Sequence, residues 1–352
     1  MPTSAGKRIP SLVHAFRSKH LAGLAPDGPG FAFLVKHDGR LVHEEYRGMA
    51  SLENGIPIRA ETTFNIASIS KLFTATAVMR LWEDGRLALD DTLGRHAPEL
   101  APPLAGLRVD GLLSHTSGLS RLSPPLKPRP RGVFGNADVI ESVRQHPEDV
   151  AVENEGEFKY SNFAYILLSH LVERVSGTCF PEFVETAIFE PLGMTSARLC
   201  TERKPVIPHR ANAYGQWPDG AYAFHYSPQL TVGDGGIYVN AGDLVRFCEG
   251  GFEHRLLRRD TVERMVAPRI RMEPDVFCGL GWRIRKTRCA DALFHTGTDA
   301  AFASVVACVP AMGLTIALLS NFASYLSKGT GGGIRRRMIE EIAVPLGEEA
   351  SL

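Results

Sequence analysis

The sequence predicts a mixed α/β (α+β) protein, in which an antiparallel sheet flanked by helices is interrupted by a mostly helical insertion. Both ends of the 352-residue chain carry short apolar runs bounded by turn signals, as strands do. Its middle alternates helical segments with proline-rich loops. The length exceeds one ordinary hydrophobic core. We therefore expect a discontinuous sheet domain, residues 1–88 and 231–352, and a helical insertion domain, residues 89–230.

The first elements are expected in the order helix, strand, strand. Residues 11–24 have helical spacing, and the apolar run 31–35 is typical of a buried strand. Asp38 and Gly39 form a dipeptide that favours a tight hairpin turn, because both positions of such a turn need a positive φ. Residues 41–47 then form the returning strand.

The remaining elements follow from the same two periodicities. Helical spacing predicts helices over residues 71–83, 137–146, 162–176, 181–188, 242–250 and 333–344. Apolar runs predict strands over residues 278–284, 293–295, 301–309 and 314–320. A tight turn at 310–313 joins the last two strands, which indicates an antiparallel meander.

The charge balance argues against nucleic acid or membrane partners. Lys plus Arg and Asp plus Glu both number 39, so the formal net charge is zero. We interpret the basic clusters 127–131 (Lys127, Arg129, Arg131) and Arg335 to Arg337 as solvated surface. No stretch has the roughly 18 apolar residues of a membrane span, and the first residues lack the apolar core of a secretion signal. A cytoplasmic protein is expected.

The six cysteines fit that compartment. None forms a C-x-x-C pair, and several lie in apolar runs, so we expect reduced, buried thiols. The twelve histidines show no ligand spacing, and neither a P-loop nor a G-x-S-x-G is present. No metal or cofactor is therefore expected.

Ser68 is the strongest candidate for a chemical role. It forms S-x-x-K with Lys71 at the start of a predicted helix, where unpaired backbone N–H groups can stabilise an oxyanion. Lys71 lies one turn along on the same face. Burial and the positive helix end both favour its neutral amine, which can take the serine proton.

The motif alone is weak, since Ser4 and Lys7 form a second copy in an apparently flexible tail. Only Ser68 opens a buried helix. A bland alternative is that Ser68 merely caps that helix.

Two further motifs follow along the chain. Tyr160 and Asn162 form Y-x-N before a helix, where the phenol oxygen suits proton transfer and the amide suits positioning of a substrate carbonyl and the lysine. Tyr238 and Asn240 repeat that pattern, but Asn240 is better explained as a helix cap.

His295 and Gly297 form H-x-G on a predicted strand. The imidazole suits hydrogen bonding towards the tyrosine or a substrate carboxylate, and the glycine allows substrate backbone close to the strand edge. His37 to Gly39 repeats the pattern within the hairpin turn. Each motif alone is weak, whereas the three in this order and setting are much stronger.

The order S-x-x-K, Y-x-N, H-x-G resembles that of the serine β-lactamase and penicillin-binding-protein superfamily. The similarity is to its class C-like branch of esterases, D-aminopeptidases, DD-peptidases and transesterases. Other similar stretches are residues 63–75, 112–119, 235–244 and 279–282, and coverage runs from about residue 30 to residue 345. The resemblance implies a β-lactamase/transpeptidase-like fold.

The resemblance also implies residue roles. Ser68 would attack the acyl carbon, Lys71 and Tyr160 would share the base role, and Asn162 would position substrate. His295 would replace the strand lysine of relatives. The oxyanion hole would use the backbone N–H groups of Ser68 and Thr298.

Two departures bear on the substrate. A histidine in place of lysine removes a permanent cation from the carboxylate-binding edge, which favours ester or small amide substrates over β-lactams or cell-wall peptides. Asp299 adds a negative charge where relatives often carry glycine. It would either contact a substrate amine or cap a turn, and the cap is the more ordinary role.

The first hypothesis is thus a serine hydrolase that forms an acyl-enzyme at Ser68 from a small-molecule ester or amide. The alternative is an intracellular acyltransferase or transesterase of secondary metabolism, which would use the same residues with better exclusion of water. A non-catalytic binding or sensor module is a third, weaker hypothesis. The sequence specifies neither the acyl donor and acceptor nor the oligomeric state.

Overall fold

A computed structural model describes residues 4–100, 102–119, 123–126, 132–201, 205–327 and 333–348. The strands run in chain order as β1 (Phe31–His37), β2 (Arg40–Arg47), β3 (Met49–Ser51), β4 (Ile56–Pro57), β5 (Phe64–Asn65), β6 (Arg198–Leu199), β7 (Ala213–Gln216), β8 (Tyr222–His225), β9 (Ile237–Val239), β10 (Ile270–Glu273), β11 (Val276–Cys278), β12 (Arg283–Arg285), β13 (Ala292–Asp299), β14 (Phe302–Val309) and β15 (Leu314–Ser320).

The helices are α1 (Ser4–His20), α2 (Ser70–Glu83), α3 (Leu93–His96), α4 (Pro102–Ala105), α5 (Val109–Leu113), α6 (Asn136–Gln145), α7 (Asn162–Ser176), α8 (Phe180–Val184), α9 (Glu190–Leu192), α10 (Ala241–Phe252), α11 (Arg259–Val266), α12 (Ala323–Leu326), α13 (Gly333–Met338) and α14 (Val344–Gly347). Short π-helical segments, Glu185–Phe189 and Ile339–Ala343, join α8 to α9 and α13 to α14.

Eight strands form one sheet in the order β10-β11-β12-β13-β14-β15-β1-β2, antiparallel throughout. The two ends of the chain meet where β15 pairs with β1. This confirms the predicted antiparallel sheet flanked by helices. The hairpin between β1 and β2 turns at Asp38 and Gly39, both at positive φ as expected.

Two predicted elements differ. The single strand expected over residues 278–284 is two strands, β11 and β12, because Gly281 has a φ of +90° and reverses the chain between them. The first helix spans Ser4–His20 rather than residues 11–24. The Ser4 copy of S-x-x-K therefore lies in the first turn of a helix and not in a tail.

The sheet buries both faces, since alternate side chains of each strand point to opposite sides. In β1, Phe31, Phe33 and Val35 pack with α1 and the C-terminal helices. Ala32 and Leu34 belong instead to the larger core that contains α2, α7 and α10. Helix α10 lies directly against β1 and β15, and α2 packs against α7 within the same core.

The segment predicted as a helical insertion, residues 89–230, contains helices up to α9 and also the short strands β6, β7 and β8. Its apolar side chains share one continuous core with α2 and α10. The boundaries at 88/89 and 230/231 stay a prediction.

No helix within the described residues is long and apolar enough to cross a membrane. All six cysteines lie within the described residues, and none of them is in a disulfide. Four are buried as expected, whereas Cys179 is exposed and Cys289 is half-buried.

Candidate active site

Ser68 lies in a sharp turn between a strand and a helix. Strand β5 pairs with β9, and the chain then enters a 3-10 turn, Ala67–Ile69, before α2 begins at Ser70. Ala67 has a φ of +49°, and its N–H donates to Asn65 Oδ1 at 2.8 Å. The residue that caps α2 is Ile69, so Ser68 is not the helix cap that the alternative interpretation required.

Lys71 is completely buried and joins three groups of the site. Its Nζ lies 3.1 Å from Ser68 Oγ, 2.9 Å from Asn162 Oδ1 and 2.7 Å from the carbonyl oxygen of Asp234. The amide and carbonyl oxygens only accept hydrogen bonds. These two acceptors hold Nζ in place beside the Ser68 hydroxyl.

Tyr160 packs beside this amine. The centroid of its ring lies 5.1 Å from Lys71 Nζ, 5.5 Å from the Arg283 guanidinium and 4.4 Å from the ring of His115. Two cations therefore approach the same aromatic ring. Ser161, the next residue, caps α7 and so fixes the position of Asn162 at the first helical residue.

Two buried histidines complete this side of the site. Burial and then the charge of Arg283 hold the pKa of His295 well below its usual range, and burial and then Lys71 do the same for His115. His295 Nδ1 lies 2.9 Å from the Thr296 carbonyl, so this nitrogen is the donor. His115 Nδ1 instead accepts from the Ser161 N–H.

Two arginines lie at the strand edge that was expected to lack a permanent cation. Arg283 Nη1 lies 3.3 Å from Thr296 Oγ1 on the neighbouring strand. Arg335 Nη1 donates to the Gly297 carbonyl at 2.6 Å and to Thr298 Oγ1. Two guanidiniums from other elements therefore lie at this strand edge, so the histidine does not leave it without a cation.

Arg335 also corrects the interpretation of residues 335–337 as solvated surface. It is half-buried, and burial, followed by the charge of Arg283, lowers its pKa. Arg336 and Arg337 do lie outward and pair with Glu340. The other basic cluster, residues 127–131, lies outside the described residues.

Gly297 allows the strand to approach the nucleophile segment. A Cβ built on it would lie 2.1 Å from the Ile66 carbonyl oxygen and 3.1 Å from Ala67 Cβ. Any side chain there would therefore push β13 away from the turn that carries Ser68. The close approach brings the backbone of Thr298 beside that turn, as the predicted oxyanion hole requires.

A cavity of about 190 Å³ opens on the other side of Ser68. Ser68, Asn162 and Thr298 line it, together with Asp234 and Asp299. Burial raises the pKa of both carboxyls, and their mutual repulsion adds to the rise for Asp234.

Asp299 has partners of its own within this cavity. Its Oδ2 accepts from Asn65 Nδ2 at 2.8 Å, and it also accepts from Ser227 and from the backbone N–H of Ala300. Asn65 thus links the carboxylate to the turn that holds Ala67. The contacts are those of a turn cap, while the carboxylate still faces the cavity.

Among the described residues, one side-chain group has the spacing of a metal site: His146, Glu148 and Asp149, whose ligand atoms lie within 4.8 Å of one another. It lies on a 3-10 turn after α6, apart from the cavity of Ser68. It supplies nothing to the arrangement around Ser68.

The family model described as Beta-lactamase matches residues 20–336, which is most of the chain. The chain belongs to the Beta-lactamase family. The three sequence motifs and the fold therefore have one common explanation, as the resemblance implied.

Curated relatives in the comparison are similar over part of their length. Penicillin-binding protein 4* of Bacillus subtilis is 28% identical over 280 residues, which cover 72% of this chain and 59% of that protein. A D-aminopeptidase of Gluconobacter oxydans is 26% identical over 230 residues, covering 62% of this chain and 41% of that protein. The chain thus spans three fifths or less of the length of both relatives.

Among solved structures, a penicillin-binding protein from Bacillus halodurans superposes with a TM-score of 0.75 at 24% identity. The match covers 97% of this chain and 99% of that one. It shows that this Beta-lactamase family chain has the fold of its relatives throughout.

Contributors to the site of this Beta-lactamase family member that were missed from the sequence include Asn65, His115 and Arg283. Asn65 and His115 lie within stretches already noted as family-like, 63–75 and 112–119. Arg283 follows the stretch 279–282 directly. A polar residue inside or beside such a stretch was the available signal.

Proposed function

We propose that this protein is a serine hydrolase that forms an acyl-enzyme at Ser68 from an ester or a small amide. The observation that carries the proposal is the placement of the buried Lys71 Nζ, 3.1 Å from Ser68 Oγ and bonded to two obligate acceptors. A lysine amine held at this distance is placed to act as the base that activates the hydroxyl.

Acylation begins when Lys71 takes the proton of the Ser68 hydroxyl. The Ser68 Oγ–carbon bond forms, and the carbonyl oxygen of the substrate becomes an oxyanion between the N–H groups of Ser68 and Thr298. The carbon–oxygen or carbon–nitrogen bond to the leaving group then breaks. The leaving group takes up a proton from Lys71 directly, or from Tyr160, which Lys71 then reprotonates.

Deacylation repeats these steps with water as the nucleophile. Water gives a proton to the Tyr160 and Lys71 pair as it attacks the acyl carbon, and the released Ser68 oxygen regains that proton. If an alcohol or an amine replaced water, the same residues would perform an acyl transfer. Partition of the acyl-enzyme distinguishes the two.

The charges around β13 support substrates that carry a carboxylate on the leaving-group side. Arg283 and Arg335 lie beside Thr296 and Thr298, where guanidiniums suit bidentate recognition of a carboxylate. The D-aminopeptidase among the relatives supports an amide as the bond that is cleaved.

The decisive experiment is intact-mass measurement after treatment with a fluorophosphonate. We expect one adduct on the wild-type protein and none on Ser68→Ala, with loss of short-chain nitrophenyl ester hydrolysis in that variant. Ser4→Ala is the matched control, because it removes the serine of the second S-x-x-K, and it should label and turn over normally.

Other outcomes would select other functions. Full activity of Ser68→Ala would overturn the proposal. Labelling at Ser68 without turnover of any ester or amide would favour a binding or sensor module. Products formed mainly with added alcohols or amines, rather than with water, would favour an acyltransferase.

A further inference from the structure

The exposed aromatic side chains of this chain are concentrated on one hairpin. Strands β7 and β8 form a two-stranded antiparallel sheet. Within the part of the chain that the structure describes, the large aromatic side chains that are exposed are Trp217, Tyr222, Phe224 and Tyr226. All of them lie in or directly after this hairpin. Such a concentration marks a binding surface far better than scattered apolar residues do.

The hairpin is attached firmly to the rest of the fold. The Tyr214 N–H donates to the Asn321 carbonyl at 3.0 Å, and the Tyr214 hydroxyl donates to Glu53 at 2.5 Å. The ring of Tyr222 meets that of Phe322 edge to face, 5.7 Å between centroids. An anchored hairpin presents its remaining aromatic rings at fixed positions.

Two of those rings reach the cavity of Ser68. Phe224 and Tyr226 line it, although they are 58% and 52% exposed, so they stand at its mouth. Trp217, 62% exposed in the hairpin turn, is not among the residues that line the cavity.

The position of the proton-transfer groups decides which part of a substrate meets these rings. The leaving group must lie near Lys71 and Tyr160, which protonate it. Neither Tyr160 nor His295 lines the cavity with Phe224 and Tyr226. The acyl part of the substrate, attached to the same carbonyl carbon, therefore extends into that cavity.

We propose that Phe224 and Tyr226 form the acyl-specificity surface of this enzyme and bind an aromatic or medium-length alkyl group on the acyl side of the substrate. The inference rests on the proposed function. Apolar contact with two rings at the mouth favours acyl groups long enough to reach past the polar floor at Asp234 and Asp299.

The test compares nitrophenyl esters that share a leaving group and differ in the acyl group: acetate, hexanoate and phenylacetate. Phe224→Ala and Tyr226→Ala should each lower kcat/KM for hexanoate and phenylacetate about tenfold, with less than a twofold change for acetate. Phe224→Leu should recover part of the loss for hexanoate. Trp217→Ala, on the same hairpin, should change none of the three by more than twofold.

Equal losses for all three esters, or the same pattern in Trp217→Ala, would overturn the assignment. The assignment would also be overturned if the variants changed kcat/KM only among acetate esters that differ in the leaving group. Each variant is also labelled with the fluorophosphonate, so that loss of Ser68 reactivity is seen separately from loss of selectivity.

A binding measurement separates this inference from the proposed chemistry. In the Ser68→Ala background, titration followed by NMR should show phenylacetamide binding at least tenfold more tightly than acetamide, and Phe224→Ala should abolish the difference. If phenylacetamide binds in this way but the wild-type protein is never acylated at Ser68, the hydrolase is refuted and the proposed surface stands. Acylation at Ser68 with no preference for phenylacetamide would refute the surface alone.

Discussion

The residues on the two sides of Ser68 differ in charge and in exposure to solvent. On one side lie Lys71, Tyr160, His295 and Arg283, a mostly buried group in which three side chains carry positive charge in their ionised forms. On the other side a cavity contains carboxylates on its floor and exposed aromatic rings at its mouth.

The pKa directions record the same contrast. On the cationic side, burial and neighbouring positive charges lower the pKa of His295. On the cavity side, burial raises the pKa of Asp234 and Asp299, and their mutual repulsion adds to the rise for Asp234. Ser68 therefore lies between a side with positively charged groups and a side with carboxyl groups. The orientation of a bound substrate should follow this difference in charge.

Lys71 lies on the cationic side and also contacts the Asp234 carbonyl oxygen on the cavity side, and its removal should have the largest effect. We expect Lys71→Ala to lower kcat/KM for ester hydrolysis by about 10³-fold, because the proton acceptor for Ser68 is lost. Steady-state kinetics with nitrophenyl acetate measures it. A loss below tenfold would mean that Tyr160 alone accepts the proton.

The cationic side is tested next through Arg283. Arg283→Gln should lower kcat/KM about tenfold for amides with a carboxylate in the leaving group, and less than threefold for the matching neutral amides. Arg285→Gln on the same strand is the control, since its Nη1 reaches only the Pro274 carbonyl among the contacts described. Equal effects of the two substitutions would contradict a role in substrate orientation.

The cavity side is tested through Asp299. Its carboxylate accepts from Asn65, which in turn accepts from Ala67 in the turn that carries Ser68. Asp299→Ala should lower kcat about fivefold and the free energy of unfolding by about 1 kcal/mol, because the Asn65 amide loses its acceptor. Asp299→Asn keeps an acceptor oxygen and should restore most of both. Thermal unfolding and kcat are measured together. Equal damage in the two variants would show that the charge itself is needed.

The smallest expected effect concerns acid stability. A histidine whose folded pKa lies below its unfolded value of about 6.5 contributes stability above that pH and loses it as pH falls towards the folded pKa. Below pH 6.5, His295 and His115 should each lower the free energy of unfolding by up to about 1.4 kcal/mol per pH unit.

His295→Gln should remove one of these contributions. The Tm of the wild type should then fall more steeply between pH 6.5 and 5 than that of the variant, as measured by calorimetry. The carboxyls with raised pKa, Asp234 and Asp299, stabilise the fold as pH falls, and they do so equally in both proteins. Parallel curves would show that His295 is protonated in the folded state at these pH values.

Much of the molecule was predictable because it depends on local pattern. Strand β15, helix α7 and the Asp38-Gly39 hairpin turn follow from periodicity and turn chemistry. The helix cap at Asn240 was predicted correctly, and its side chain accepts from the Asp243 N–H. The pairing of Ser68 with Lys71 is also local, because the 3-10 turn leads directly into the first turn of α2 and brings residues three apart to one face.

What failed depended on residues far apart in the chain. The charge at the His295 edge comes from Arg283 and from Arg335, which lie 12 residues before and 40 residues after it. The division of 278–284 into two strands depends on Gly281, which has a positive φ and where any Cβ would lie 2.8 Å from the Cβ of Ala75.

The sequence by itself determined the fold class and the placement of Ser68 beside Lys71, because these follow from periodicity and from spacing within one helical turn. Only the tertiary structure decided the electrostatic character of the two sides of Ser68. The sheet brings Arg283 and Arg335 to one side, and the β7–β8 hairpin brings Phe224 and Tyr226 to the other. Charge and apolar contact act through space, so their sum at Ser68 exists only once the chain is folded.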